Sequence, residues 1–197
     1  MKYIIYGVIG IAVIGFMFSS NNSSKPKIDL TQVLNRSTVA LEKYDQYLKK
    51  NNVEKATNEH LDQLNGFMQK VMNTEPRFHP KPIATKLGKD AKFTGVEDAN
   101  SNGAADDGEK QLFTVEVDAQ NKRIIATDSS GTGTYRGFSG SGFLAGALIG
   151  AMLGRQRSAG VKPGSFANRK LTSPTSYSST RAQARSRARS GGLRGGK

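Results

Sequence analysis

The chain has 197 residues and no cysteine, which excludes disulfides, thiol chemistry, cysteine zinc sites and lipidation of a cysteine. Its length suffices for one modest domain with appendages. The net charge of +13 is unevenly spread, because residues 155–197 hold eleven Lys or Arg and no Asp or Glu, whereas the first 154 residues hold 18 basic and 16 acidic ones. The excess positive charge is therefore concentrated in the C-terminal residues 155–197.

The first apolar segment runs from Tyr3 to Phe18 and carries no charge. It is about as long as the core of a signal peptide and slightly short of a full membrane span. Cleavage after Ser19 would place Met17 three residues before the cut, where a small residue is needed. We therefore expect residues 1–24 to be an uncleaved transmembrane anchor. A cleaved signal peptide and a buried core helix are the alternatives.

Residues 25–128 have the pattern of a small α+β domain. Asp29 is placed to cap a helix from Leu30 to about Lys49, because apolar residues recur there on one face. Asn51, followed three residues later by Glu54, resembles a capping box and predicts a second helix. The two helices would form a hairpin.

Three short strands are predicted after the helices, at Lys92–Val96, Leu112–Val117 and Arg123–Thr127. The last two form a β-hairpin. Since two strands alone are only marginally stable, we expect the helical hairpin to cover them. Residues 129–141 follow and are rich in Gly, Ser and Thr, which predicts a flexible linker.

The clearest chemical motif is the stretch Asp98–Glu109, with the sequence DANSNGAADDGE. It fits a twelve-residue calcium loop, which has oxygen ligands at positions one, three, five, seven, nine and twelve and a glycine, here Gly103, at position six. The predicted ligands are Asp98, Asn100, Asn102, the backbone carbonyl of Ala104, Asp106 and Glu109. Because only three of them are charged, we expect weak binding of roughly 0.1–1 mM. A surface turn without an ion is the alternative.

This loop resembles that of an EF-hand, although its flanks do not resemble the two EF-hand helices. The segment after Glu109 is predicted to be a strand, which makes the loop more similar to the calcium loops of secreted bacterial β-modules such as SdrD-type surface repeats. Dockerin-like loops share the ligand pattern but continue into a helix. The resemblance covers twelve of the 197 residues and implies ion binding alone.

A second uncharged segment lies between Arg136 and Arg155, and glycine recurs within it at every fourth position. These glycines are Gly142, Gly146, Gly150 and Gly154. At helical spacing they form one stripe, along which another backbone can approach closely. We expect residues 142–154 to be a glycine-zipper hydrophobic helix that inserts into a membrane and forms a homo-oligomer. A re-entrant segment, a helix packed in an oligomer and a flexible linker are the alternatives.

Residues 155–197 contain too few apolar side chains to fold and predict a disordered basic tail. The predicted anion-binding residues are Arg181, Arg185, Arg187, Arg189 and Arg194. Such a tail fits anionic lipid or an acidic protein, and basic residues after an apolar segment also set membrane orientation. Nucleic acid is the alternative partner, although no base-stacking platform accompanies the arginines.

The order of these parts is similar to that of uncharacterised YgiB-like bacterial envelope proteins. The sequence thus predicts a membrane-anchored α+β domain with a structural or interaction role, located in the cell inner membrane or a virion membrane. The domain would lie outside the cytoplasm with calcium as a stabilising ion. No catalytic triad or phosphate loop is evident, so we expect no enzyme. The alternatives are a binding module based on the basic tail and a glycine-zipper oligomer that forms a pore or remodels membrane.

Overall fold

The computed structural model describes residues 28–138, 146–162, 164–167 and 169–173. The helices are α1 (Leu30–Lys50), α2 (Asn58–Met72) and α3 (Ala147–Ser158). The strands are β1 (Ile83–Leu87), β2 (Phe93–Glu97), β3 (Gln111–Asp118), β4 (Arg123–Asp128), β5 (Gly133–Gly137) and β6 (Leu171–Thr172). They form one sheet in the order β1-β2-β3-β4-β5-β6, in which all neighbours are antiparallel except the parallel pair β5 and β6.

The two long helices begin at specific caps. The side chain of Asp29 accepts hydrogen bonds from the backbone N–H groups of Thr31 and Gln32, which confirms the predicted cap of α1. The second helix starts at Asn58, later than the predicted capping box implies. The N–H of Thr57 donates instead to Nδ1 of His60 at 3.1 Å, so His60 has the role that the sequence pattern assigned to Glu54.

Arg36 of α1 clamps the C-terminal end of α2. Its guanidinium donates to backbone carbonyl oxygens at 2.7–3.1 Å and lies 4.9 Å from the centre of the Phe78 ring. The acceptors are the carbonyl oxygens of Val71, Met72, Thr74 and Pro76. Carbonyl groups at a helix end have no partner within the helix, so one planar cation with several donors stabilises this end of α2.

One apolar core lies between the helices and the sheet. Alternation along β3 places Phe113, Val115 and Val117 in this core, as the sequence pattern predicts. At the bulge in β2, a Cβ on Gly95 would lie 2.3 Å from the Phe113 ring, so only glycine fits beneath that ring. The remaining fully buried large side chains come from α1, α2 and the sheet; they include Leu41, Leu64, Met68 and Ile124.

The third helix corrects the predicted fold class. Residues Leu148, Ile149 and Met152 of α3 are fully buried in the same core as α1 and α2. The helix has twelve residues, which span about 18 Å, against roughly 30 Å for the hydrocarbon core of a bilayer. In the described part of the chain no helix is both long and apolar enough to cross a membrane.

The predicted membrane-anchored architecture is therefore wrong, and so is the expected location in a cell inner membrane or virion membrane. The apolar residues of α3 that suggested insertion into lipid are instead used to complete the core of an α+β domain with a six-stranded sheet. The first apolar segment, at residues 1–24, lies outside the described residues. Residues 133–137, which fall within the predicted linker, form β5.

Candidate metal centre

The loop Asp98–Glu109 joins β2 to β3 at one end of the sheet. The N–H of Glu97 donates to the carbonyl oxygen of Lys110 at 2.9 Å, which closes the base of the loop. The N–H of Asp98 donates to the carbonyl oxygen of Pro82 at 3.1 Å, just before β1. Strand pairing thus fixes both ends of the loop before its side chains are considered.

Asp98, at the first ligand position, is the only buried residue of the loop and is 3% exposed. Its Oδ1 accepts the N–H of Asn102 at 3.1 Å, and its Oδ2 accepts the N–H of Gly103 at 2.9 Å. The turn between them passes through Ser101 and Gly103, whose φ angles are 58° and 77°. The glycine at position six therefore has the left-handed conformation that the motif requires.

Asp106, at the ninth position, accepts hydrogen bonds from the amide side chains of Asn100 and Asn102. Its Oδ2 accepts Nδ2 of Asn100 at 3.0 Å and Nδ2 of Asn102 at 2.7 Å. These hydrogen bonds, first that of Asn100 and then that of Asn102, lower the pKa of Asp106 from its ordinary value. The carboxylate therefore stays negatively charged to lower pH than an isolated aspartate.

Glu109, at the twelfth position, connects the end of the loop to its beginning. Its Oε1 accepts the N–H of Ala99 at 2.9 Å, and its Oε2 accepts the N–H of Asp106 at 3.1 Å. Both oxygens of this carboxylate consequently face the loop backbone. This orientation is the one that a glutamate needs to bind an ion with two oxygens.

The loop retains oxygen lone pairs for a cation. Each oxygen of Asp98 and Glu109 accepts a single N–H, although a carboxylate oxygen has about two acceptor sites. The side-chain oxygens of Asn100 and Asn102 also accept one N–H each. In the described residues no group donates to the carbonyl oxygen of Ala104, the predicted ligand at position seven.

The three carboxylates among the predicted ligands do not gather around one point. Within the ranges that the structure describes, no three His, Cys, Asp or Glu side chains form a group that could hold a metal ion. The structure unites Asn100, Asn102 and Asp106, while Asp98 and Glu109 are bonded to backbone N–H groups. Ion binding would require Asp106 to exchange its two amide donors for the cation.

Two lysines and a histidine surround one carboxylate at the base of the loop. The carboxylate of Glu97 lies 2.8 Å from Nζ of Lys81, 3.7 Å from Nε2 of His79 and 3.9 Å from Nζ of Lys110. The hydrogen bond from Lys81 is the main reason that the pKa of Glu97 is lowered. Nearby cations reduce the local negative potential, so they favour weak rather than tight calcium binding.

Sequence analysis missed the contact between the loop and α2. Nε2 of Gln69 donates to the carbonyl oxygen of Gly103 at 2.8 Å across 34 positions of the chain. The available signal was the recurrence of amide side chains at every fourth position, at Asn65 and Gln69 of α2 and at its C-cap residue Asn73. That spacing places them on one helix face, yet nothing local shows what the face contacts.

The glycine stripe is divided between two environments. Gly146 caps α3, and a Cβ there would lie 2.2 Å from Oδ1 of the buried Asp45. Gly150 and Gly154 are exposed, and a Cβ at either would meet nothing within 4 Å. Gly142 and the five tail arginines between 181 and 194 lie outside the described residues, so self-association and anion binding stay predictions.

Comparisons with other proteins add no functional evidence. The chain matches no protein-family model, and no curated protein or solved structure is significantly similar to it. The EF-hand-like, SdrD-type and YgiB-like resemblances therefore stay predictions.

Proposed function

We propose that this protein is a non-enzymatic interaction domain whose β2–β3 loop binds one calcium ion as a structural element. One observation carries the proposal: the oxygen-bearing side chains at loop positions one, three, five, nine and twelve all take part in hydrogen bonds within the loop around a left-handed glycine. These side chains are Asp98, Asn100, Asn102, Asp106 and Glu109. Calcium prefers such a set of carboxylate, amide and carbonyl oxygens.

The expected calcium affinity determines how much the ion should stabilise the folded domain. A site with three carboxylates beside two lysines belongs with the weak calcium loops, with a Kd of roughly 0.1–1 mM. At about 10 mM calcium, such a Kd adds roughly 1.4–2.7 kcal/mol to the free energy of unfolding. A domain of this size should then unfold several degrees higher, by roughly 4–10 °C.

The proposal is tested by titrating the full chain with calcium chloride in a calorimeter and by following thermal unfolding with and without the ion. We expect one site per chain. The substitution Glu109→Gln removes a charged oxygen that faces the loop, so it should weaken calcium binding by about tenfold or more.

Asp107→Asn is the matched control, because it removes the same charge from the same loop. Asp107 is exposed at position ten and makes no hydrogen bond or ion pair with any described residue. It should change the Kd by no more than about threefold, since an exposed charge acts only through screened electrostatics. Absence of heat and of a thermal shift for the unmodified chain would refute the calcium site.

A second candidate function, binding of an acidic partner through the C-terminal region, is favoured by unpaired cations. Arg157 and Lys162 line a cavity of about 320 Å³ whose apolar lining includes Leu153 and Phe166. Neither cation makes an ion pair with any described residue, and Lys170 nearby makes none either. Arg169 between them is paired with Glu116, so the region leads into the arginine-rich tail with only part of its positive charge neutralised.

Retention on an anionic matrix distinguishes this candidate. The full chain should be retained at low salt and released as salt rises, because counterion release dominates binding to charged polymers. Deleting residues 180–197, which contain five arginines and one lysine, should abolish most of the retention. Equal retention of the shortened chain would exclude the tail as the binding element.

A further inference from the structure

The helix α2 covers the outer edge of β1 with side chains. Asn73 donates to the carbonyl oxygen of Ile83 at 2.7 Å and accepts its N–H at 2.8 Å. Asn65 donates to the carbonyl oxygen of Thr85 at 2.9 Å, and Oε1 of Gln69 accepts the N–H of Thr85 at 2.9 Å. β1 is the first strand of the sheet, so these amides bond the backbone groups that a neighbouring strand would otherwise bond.

Gln69 differs from the other two amides because its second end contacts the candidate calcium loop. Its Nε2 donates to the carbonyl oxygen of Gly103, while the N–H of Gly103 donates to Asp98 at the first ligand position. Gly103 is thus held on both sides. The orientation of the peptide that follows it, which leads to the predicted carbonyl ligand Ala104, depends on the bond from Gln69.

We infer that Gln69 is a positioning residue for the calcium site and couples that site to the edge of the sheet at Thr85. This inference rests on the proposed function, because it concerns the same loop. Residues that orient metal ligands without touching the metal change metal affinity when they are replaced. By linkage, an ion that stabilises the loop conformation bonded to Gln69 also stabilises the bond from Gln69 to Thr85.

Replacing Gln69→Met in the full chain tests the inference, since methionine keeps the length of the side chain and lacks the amide. We expect the Kd for calcium, measured by calorimetric titration with calcium chloride, to rise about tenfold.

Asn65→Leu is the matched control. It removes one bond to the backbone of Thr85, as Gln69→Met does, but Asn65 makes no hydrogen bond with the described residues of the loop. Its Kd should stay within about twofold of the unmodified value, because the loop keeps its bond to Gln69. Comparable weakening in both variants would mean that general loosening of the edge, rather than the bond to Gly103, affects the site, and this would overturn the inference.

Hydrogen exchange at the amide of Thr85 gives a second measurement that needs no variant. In the unmodified chain, saturating calcium should slow exchange at Thr85 by about tenfold relative to the ion-free chain. The effect should persist in Asn65→Leu and disappear in Gln69→Met. A structural role for Gln69 alone would leave exchange at Thr85 independent of calcium.

The outcomes separate the two proposals. If the unmodified chain takes up no calcium, the proposed function and this inference both fail. If it binds calcium with the same Kd in Gln69→Met, or if calcium leaves exchange at Thr85 unchanged, only the role of Gln69 fails. If Gln69→Met does not fold, exchange in the unmodified chain decides.

Discussion

The helices α2 and α3 pack into the same core but are attached to the sheet in different ways. The face of α2 that meets β1 carries Asn65 and Gln69, and Asn73 follows as the C-cap residue; all three bond the strand backbone directly. α3 packs through Leu148, Ile149 and Met152, and a single side-chain hydrogen bond, from Gln156 to the carbonyl oxygen of Val117 at 3.0 Å, ties it to β3.

The difference shows how each helix acquires its position. Hydrogen bonds are directional, so a shift of α2 by one residue would leave several amides and backbone groups without partners. Apolar contacts are not directional, and a helix held mainly by them is positioned by the volume of the neighbouring side chains. Damage to α2 should therefore act through unpaired polar groups, and damage to α3 through crowding.

The largest effect is expected where α2 meets β1. Asn73→Leu should lower the free energy of unfolding by about 2–4 kcal/mol, because it leaves the N–H and carbonyl oxygen of Ile83 without their partner. Ile83 is only 1% exposed, so water has little access to replace the amide. Urea unfolding measures the change. A loss below about 1 kcal/mol would show that the amides do not fix α2.

A smaller loss of stability, caused by steric crowding, is expected at the start of α3. Gly146→Ala should destabilise the domain by about 1–3 kcal/mol, because the new methyl group would overlap the carboxylate of Asp45. Gly150→Ala is the matched substitution on the exposed face of the helix, where a Cβ meets nothing within 4 Å. It should stabilise the domain by about 0.5–1 kcal/mol, since alanine favours helix.

Thermal unfolding of both glycine variants separates crowding from self-association. If only Gly146 lies against another part of the chain, Gly146→Ala should lower the unfolding temperature and Gly150→Ala should raise it. If Gly150→Ala destabilises the protein as Gly146→Ala does, and does so more strongly at higher protein concentration, the exposed face of α3 packs against a second copy. That result would contradict the different environments of Gly146 and Gly150.

Sequence patterns predicted the first helix and the main hairpin well. Asp29 caps α1 because an acceptor just before an amphipathic run satisfies N–H groups only two or three residues away. Phe113, Val115 and Val117 share a buried environment because alternation along a strand is a local property. The start of α2 was misplaced by several residues, since Asn51 and Thr57 are both suitable caps and packing selects between them.

The distribution of charge, the absence of cysteine chemistry and the spacing of oxygen side chains in Asp98–Glu109 follow from the sequence alone. The turn at Gly103 does as well, since its partner Asp98 is five residues away in the chain. Tertiary structure decided that α3 completes the core, that residues 133–137 form a strand, and that Gln69 contacts the loop. The reason is distance along the chain: an apolar segment suits lipid and a protein core equally, and only partners many residues away determine which of the two environments it enters.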